Sequence, residues 1–127
     1  MKNYPNTTHV LEELYGSMQV FRLLGFPSDN LYVQFGILET QGVFTGRKCV
    51  GITLRWQGKE FHYSVAPVKN DKKFAEKWVA FATAAEEAPP DDPRLRAIRE
   101  QCHCRQQAAL LVLALEAKGI SIPQRLN

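Results

Sequence analysis

At 127 residues, with 45% hydrophobic and 23% charged side chains, the chain is long enough to bury a real core as one domain over 1–127 and too apolar for a disordered segment. Its formal charge of +3 is spread as 6 basic against 5 acidic residues over positions 1–66 and 10 against 8 over the rest, so neither half is a basic arm. Three cysteines are too few for a disulfide framework and point to a reducing compartment, the cytoplasm, while neither a signal-peptide core nor an apolar run of roughly 20 residues that would cross a bilayer is present.

In chain order, residues 8–24 predict a helix with Leu11, Leu14, Met18 and Phe21 along one stripe and Asn6 or Thr7 as N-cap. Its stop is sharper than its start. Gly25 stands where a left-handed residue is wanted, Phe26 can reach back to Phe21, and Pro27 forbids continuation, which together make a Schellman ending. Leu31, Val33, Phe35 and Ile37 then alternate with Tyr32, Gln34, Gly36 and Leu38, the period of a strand with one apolar face. Residues 39–47 are ambiguous, and a short extra strand over 43–45 is one reading of them.

Residues 48–66 are the clearest stretch in the chain. Val50, Ile52, Leu54 and Trp56 alternate with Cys49, Gly51, Thr53 and Arg55, and Phe61, Tyr63 and Val65 alternate with Glu60, His62, Ser64 and Ala66. With Gln57-Gly58 as a two-residue loop, Leu54 pairs with Phe61, Ile52 with Tyr63, Val50 with Val65, Thr53 with His62 and Arg55 with Glu60. Beyond Pro67, residues 72–88 predict a helix carrying Phe74, Trp78 and Phe81 on one side, capped by Asn70 or Asp71 and ended by Pro89-Pro90. Asp92-Pro93 opens a long third helix over 93–118 that closes at Gly119. Its second half, residues 108–115, is apolar on nearly every side, which suits a central core helix or one covered by another subunit.

The expected architecture is α+β: a three- or four-stranded antiparallel meander with three helices packed on one face, in the order α-β-β-β-α-α. That leaves the other sheet face open. It gathers Tyr32, Gln34, Thr53, Arg55, Glu60, His62 and Ser64 as donors and acceptors, with small residues Gly36, Cys49, Gly51 and Ala66 among them, and these seven polar residues are the expected ligand- or partner-binding site. No catalytic residue is assigned. Cys49 and His62 lie too far apart along the ladder for a thiolate pair, and His62 and Ser64 are i, i+2 neighbours roughly 7 Å apart on one strand. A metal site at Cys102-His103-Cys104 fails on helix geometry, because i and i+2 side chains diverge, and no cofactor motif appears.

The order helix, three strands, helix over residues 8–87 is similar to that of the double-stranded RNA-binding domain, and Lys72-Lys73-Phe74-Ala75 stands where that family has its KKxA run. Glu76 takes the place of that family's final lysine, and neither the glycines before the helix nor a GPxH loop is present. The resemblance implies phosphate contacts from Lys72 and Lys73. Arg96 and Arg99 add basic positions on the third helix. Three functional expectations follow: a non-enzymatic cytoplasmic homodimer that binds a protein or small-molecule partner through the open sheet face, nucleic-acid binding by Lys72, Lys73, Arg96 and Arg99, and a small enzyme using His62 and Glu60.

Overall fold

A computed structural model describes residues 6–37, 48–89, 91–102 and 105–123. Helix α1 runs Thr7–Leu23, a single 3-10 turn covers Ser28–Asn30, and strands β1 (Leu31–Ile37), β2 (Lys48–Trp56) and β3 (Lys59–Pro67) follow. Helices α2 (Asp71–Glu87), α3 (Pro93–Cys102) and α4 (Arg105–Ala117) complete the described order. The three strands form one antiparallel sheet in the order β1-β2-β3, so the fold is α+β with β2 in the middle. The possible strand over 43–45 falls outside the described residues.

The ends of the helices are fixed by local chemistry that the sequence announces. Asn6 caps α1 by accepting at Oδ1 from the backbone N–H of Thr8 at 2.9 Å and of His9 at 3.3 Å. Gly25, at φ +94°, closes it: its N–H donates to the Arg22 carbonyl and that of Phe26 to the Phe21 carbonyl, the paired bonds of a Schellman stop. The Phe21 and Phe26 rings meet at 6.1 Å, so the predicted back-contact is present. Asn70 accepts from Lys73 N–H at the start of α2, and Asp92 accepts from Arg94 N–H one residue into α3 with Pro93 at its first position. Of the expected helix over 93–118, Pro93–Cys102 and Arg105–Ala117 are helical, and residues 103 and 104 between them lie outside the described set.

The core lies between the helices and one face of the sheet. Val50, Ile52 and Leu54 of β2 are fully buried there with Leu14 and Phe21 of α1, and Phe61 of β3 joins them. Aromatic contacts lock the layers: Phe21 meets Tyr63, Phe26 meets Trp56, and Phe35 of β1 meets Phe74 of α2, at centroid separations of 6.0, 5.3 and 6.2 Å. Helix α3 packs on α1 through its buried Leu95 and Ile98, with Arg94 stacked on the Phe81 ring of α2 at 5.2 Å. Helix α4 turns Leu111, Val112 and Leu115 inward and leaves Leu110 and Leu113 exposed.

The hairpin keeps the expected pairing from Trp56–Lys59 through Gly51–Ser64. Gln57 and Gly58 both take positive φ, at +54° and +74°, which is the turn whose twist matches two antiparallel strands. Past Ser64 the register changes. Val50 faces Ala66, not Val65, and Cys49 faces Pro67, because one extra residue of β3 is accommodated as a bulge. Ala66 is therefore buried opposite Val50 on the core side, which corrects its expected place on the open face, and Val65 is only half-buried.

Candidate functional site on the open face of the sheet

The contacts made by α1, by Phe26 just beyond it and by α2 reach Tyr63, Trp56 and Phe35, all on one face, and period-2 alternation sends the intervening residues to the other. Six of the seven expected site residues meet there across all three strands. Thr53, at the centre of β2, pairs with Tyr32 on one side and His62 on the other. Its hydroxyl donates to Gln34 Oε1 and lies 3.1 Å from His62 Nδ1. His62 Nε2 is 3.1 Å from Glu60 Oε1, and the second carboxylate oxygen of Glu60 accepts from Arg55 Nε at 3.2 Å. The Arg55 guanidinium lies over the Tyr32 ring at 5.2 Å from its centroid. One unbroken chain of polar contacts thus runs Gln34, Thr53, His62, Glu60, Arg55, Tyr32.

Burial grades along this chain in a way that follows from strand position. Thr53 is 5% exposed because it is short and lies between longer side chains on both flanking strands, so the expected surface donor is a covered one. Gly51 and Cys49 of the same strand are buried as well. The far end of the chain is open: Tyr32 is 47% exposed, and Arg55, Glu60 and His62 stay in contact with water. Ser64 is the seventh residue and stands apart. Its Oγ is buried beside Gly51 with no hydrogen-bond partner among the described residues.

A hydroxyl, an imidazole and a carboxylate in series have the order of a nucleophilic relay. Here the hydroxyl that would attack is the most buried member, and its proton is already given to Gln34. The arrangement therefore holds side chains in place; it does not expose a nucleophile. Among the described residues no group of three or more His, Cys, Asp or Glu side chains is placed to hold a metal.

The basic residues of the nucleic-acid expectation are divided between elements. Lys72 and Lys73 open α2 just after β3, and Arg96 is exposed on α3, whose buried side faces α1. The side chain of Arg99 lies outside the described set. One cleft of about 450 Å³ opens beside the start of α2, with Lys73 of the nucleic-acid expectation and Lys69 and Lys77 on its wall, and another of about 390 Å³ lies between α1, β1 and α2, with Tyr32 of the open face on its wall. Arg22 and Trp78 line the second; periodicity marks Trp78 as one of three aromatics on one side of its helix and does not single out Arg22.

The chain matches no protein-family model, no curated protein and no solved structure. No helix among the described residues is long and apolar enough to cross a membrane.

Proposed function

We propose that the chain is a non-catalytic cytoplasmic binding protein that assembles as a homodimer through the open face of its sheet. The observation that carries this reading is the six-residue polar chain, which fixes Arg55, Glu60 and Tyr32 at the surface by anchoring them to a buried threonine. Side chains already held in one conformation lose little entropy when a partner arrives. Tyrosine and arginine are also the residue types that dominate contact energies in protein interfaces.

A second copy of the same chain suits this surface. Arg55 and Glu60 carry opposite charges on one face, so a twofold axis can bring the Arg55 of each copy to the Glu60 of the other without placing like charges together. Light scattering on the purified protein tests the reading: it predicts a mass twice the 14.4 kDa of one chain, falling to one chain in an Arg55→Glu, Tyr32→Ala double variant. A monomer at micromolar concentration overturns it, as does a dimer that survives that variant but dissociates on Leu110→Glu, Leu113→Glu.

A further inference from the structure

The cleft of about 450 Å³ beside the start of α2 falls in the size range of sites that hold small molecules, and none of the six residues of the polar chain lines it. Two helices begin on its wall: Thr7 is the first residue of α1, and Asn70 is the N-cap of α2. Each helix is 17 residues long and brings the positive end of its dipole there. Lys69, Lys73 and Lys77 line the same cleft, and Lys73 and Lys77 stand one turn apart on α2. All three are exposed, and none forms an ion pair among the described residues. Among those residues no acidic side chain lines the cleft. Asp71, the nearest acid in sequence, is off its wall and is engaged by Lys48 at 3.4 Å. Positive charge is thus gathered on one concavity without a counter-charge, although like charges one turn apart disfavour a helix.

We infer that this cleft binds a small phosphate monoester, its phosphate held between the exposed ammonium groups of Lys69, Lys73 and Lys77. Two backbone donors at the start of α2 are already met, Lys73 N–H by Asn70 Oδ1 and Lys72 N–H by Asp71 Oδ1, so the ligand's contacts fall on the lysines. A phosphate monoester carries about −1.5 to −2 charges at neutral pH and three strong acceptor oxygens, which answers three ammonium groups better than the single charge of a carboxylate or sulfate ester. Ammonium groups act as point charges and ask for no planar fork, so tetrahedral oxygens suit them. The ester group meets Pro67, Val68 and Phe74 and the methylene stems of the lysines. Val68 and Phe74 are only 7% and 5% exposed, so this floor is narrow and charge supplies most of the affinity. A concave site favours a small ester over a nucleic-acid backbone, and Lys72, which an extended backbone would also use, is exposed and off the wall.

1-Naphthyl phosphate, 1-naphthyl sulfate and inorganic phosphate are the probes, and amide NMR titrations at neutral pH are the readout. In the unaltered protein naphthyl phosphate shifts the signals of Val68, Lys69, Lys73, Phe74 and Lys77. It binds about tenfold more tightly than naphthyl sulfate, which has the same body and less charge, and several-fold more tightly than inorganic phosphate, which has no body. Lys73→Met and Lys77→Met together weaken naphthyl phosphate about tenfold, while Lys72→Met, at the next residue but off the wall, changes it less than about twofold. Equal binding of phosphate and sulfate esters by the unaltered protein overturns the inference without any variant. Shifts centred away from the cleft, or an equal loss in Lys72→Met and Lys73→Met, overturn it too. So does a short RNA duplex that binds more tightly than naphthyl phosphate and depends on Lys72 as much as on Lys73, since these lysines then form a nucleic-acid face.

Discussion

The two faces of the sheet are built from alternate residues of the same three strands and held by opposite means. On the inner face Val50, Ile52, Leu54 and Phe61 are buried against helices, and many individually weak contacts add to a large non-directional gain. On the outer face Gln34, Thr53, His62, Glu60, Arg55 and Tyr32 are joined one to the next by directional contacts, most of them open to water. The inner face supplies stability, and the outer face supplies a fixed pattern of charge and ring. Substitutions on neighbouring residues of one strand separate these two contributions.

Leu54→Ala has the largest expected effect, a loss of about 2–5 kcal/mol in urea unfolding, because it empties a fully buried leucine site at the centre of the core. A loss below about 1 kcal/mol would show that the inner face is loosely packed there. One residue away, Thr53→Val keeps the shape and removes only the hydroxyl, so the expected loss is about 1 kcal/mol. Its sharper signature is spectroscopic: the His62 ring signals and the Arg55 side-chain signals broaden as the chain loses its anchor. Arg55→Ala costs the monomer under about 1 kcal/mol, the range of an exposed ion pair, and shifts the mass seen in light scattering toward one chain.

The smallest expected effect lies at the start of the central strand β2, where Lys48 Nζ is 3.4 Å from Asp71 Oδ1. Partial burial works to raise the Asp71 carboxyl, but the hydrogen bond and charge of Lys48 and the backbone N–H groups of Asp71 and Lys72 together outweigh it and leave the carboxyl below its ordinary value. A carboxyl lowered in the folded state stabilises above its unfolded value and loses that contribution as pH falls through the folded one. The gap in urea midpoint between wild type and Lys48→Met should therefore be present at neutral pH and close in acid. A gap that persists unchanged in acid would remove the ion pair as its cause.

Much of this was legible in the sequence because several local signals agreed. Period-2 alternation, a Gln-Gly turn and matched apolar residues on both strands specify one hairpin, and Asn6, Gly25 and Pro27 bracket one helix. The bulge was not legible, since Val65 and Ala66 are both apolar and either can face Val50 without disturbing the pattern. Membership of the outer face and the Thr53–His62 and Arg55–Glu60 pairs followed from alternation and register, but the Glu60–His62 bridge that joins them did not. Spacing of i, i+2 positions along a strand argues against contact for short side chains, yet Glu60 and His62 are long enough to bridge it. The burial of Thr53 depends on what stands on both neighbouring strands, which no single strand records. The Arg22 cleft escaped for the same reason, being made of three elements distant in sequence.

The central claim, that the open face pairs with its own copy, is tested most directly by charge exchange between two variants. Arg55→Glu and Glu60→Arg are prepared separately and then mixed. Each alone places like charges across the twofold axis and should sediment as a monomer, while the mixture restores both attractive pairs and should sediment as a dimer containing one copy of each. Two variants that remain dimeric alone, or that stay monomeric when mixed, would contradict the account.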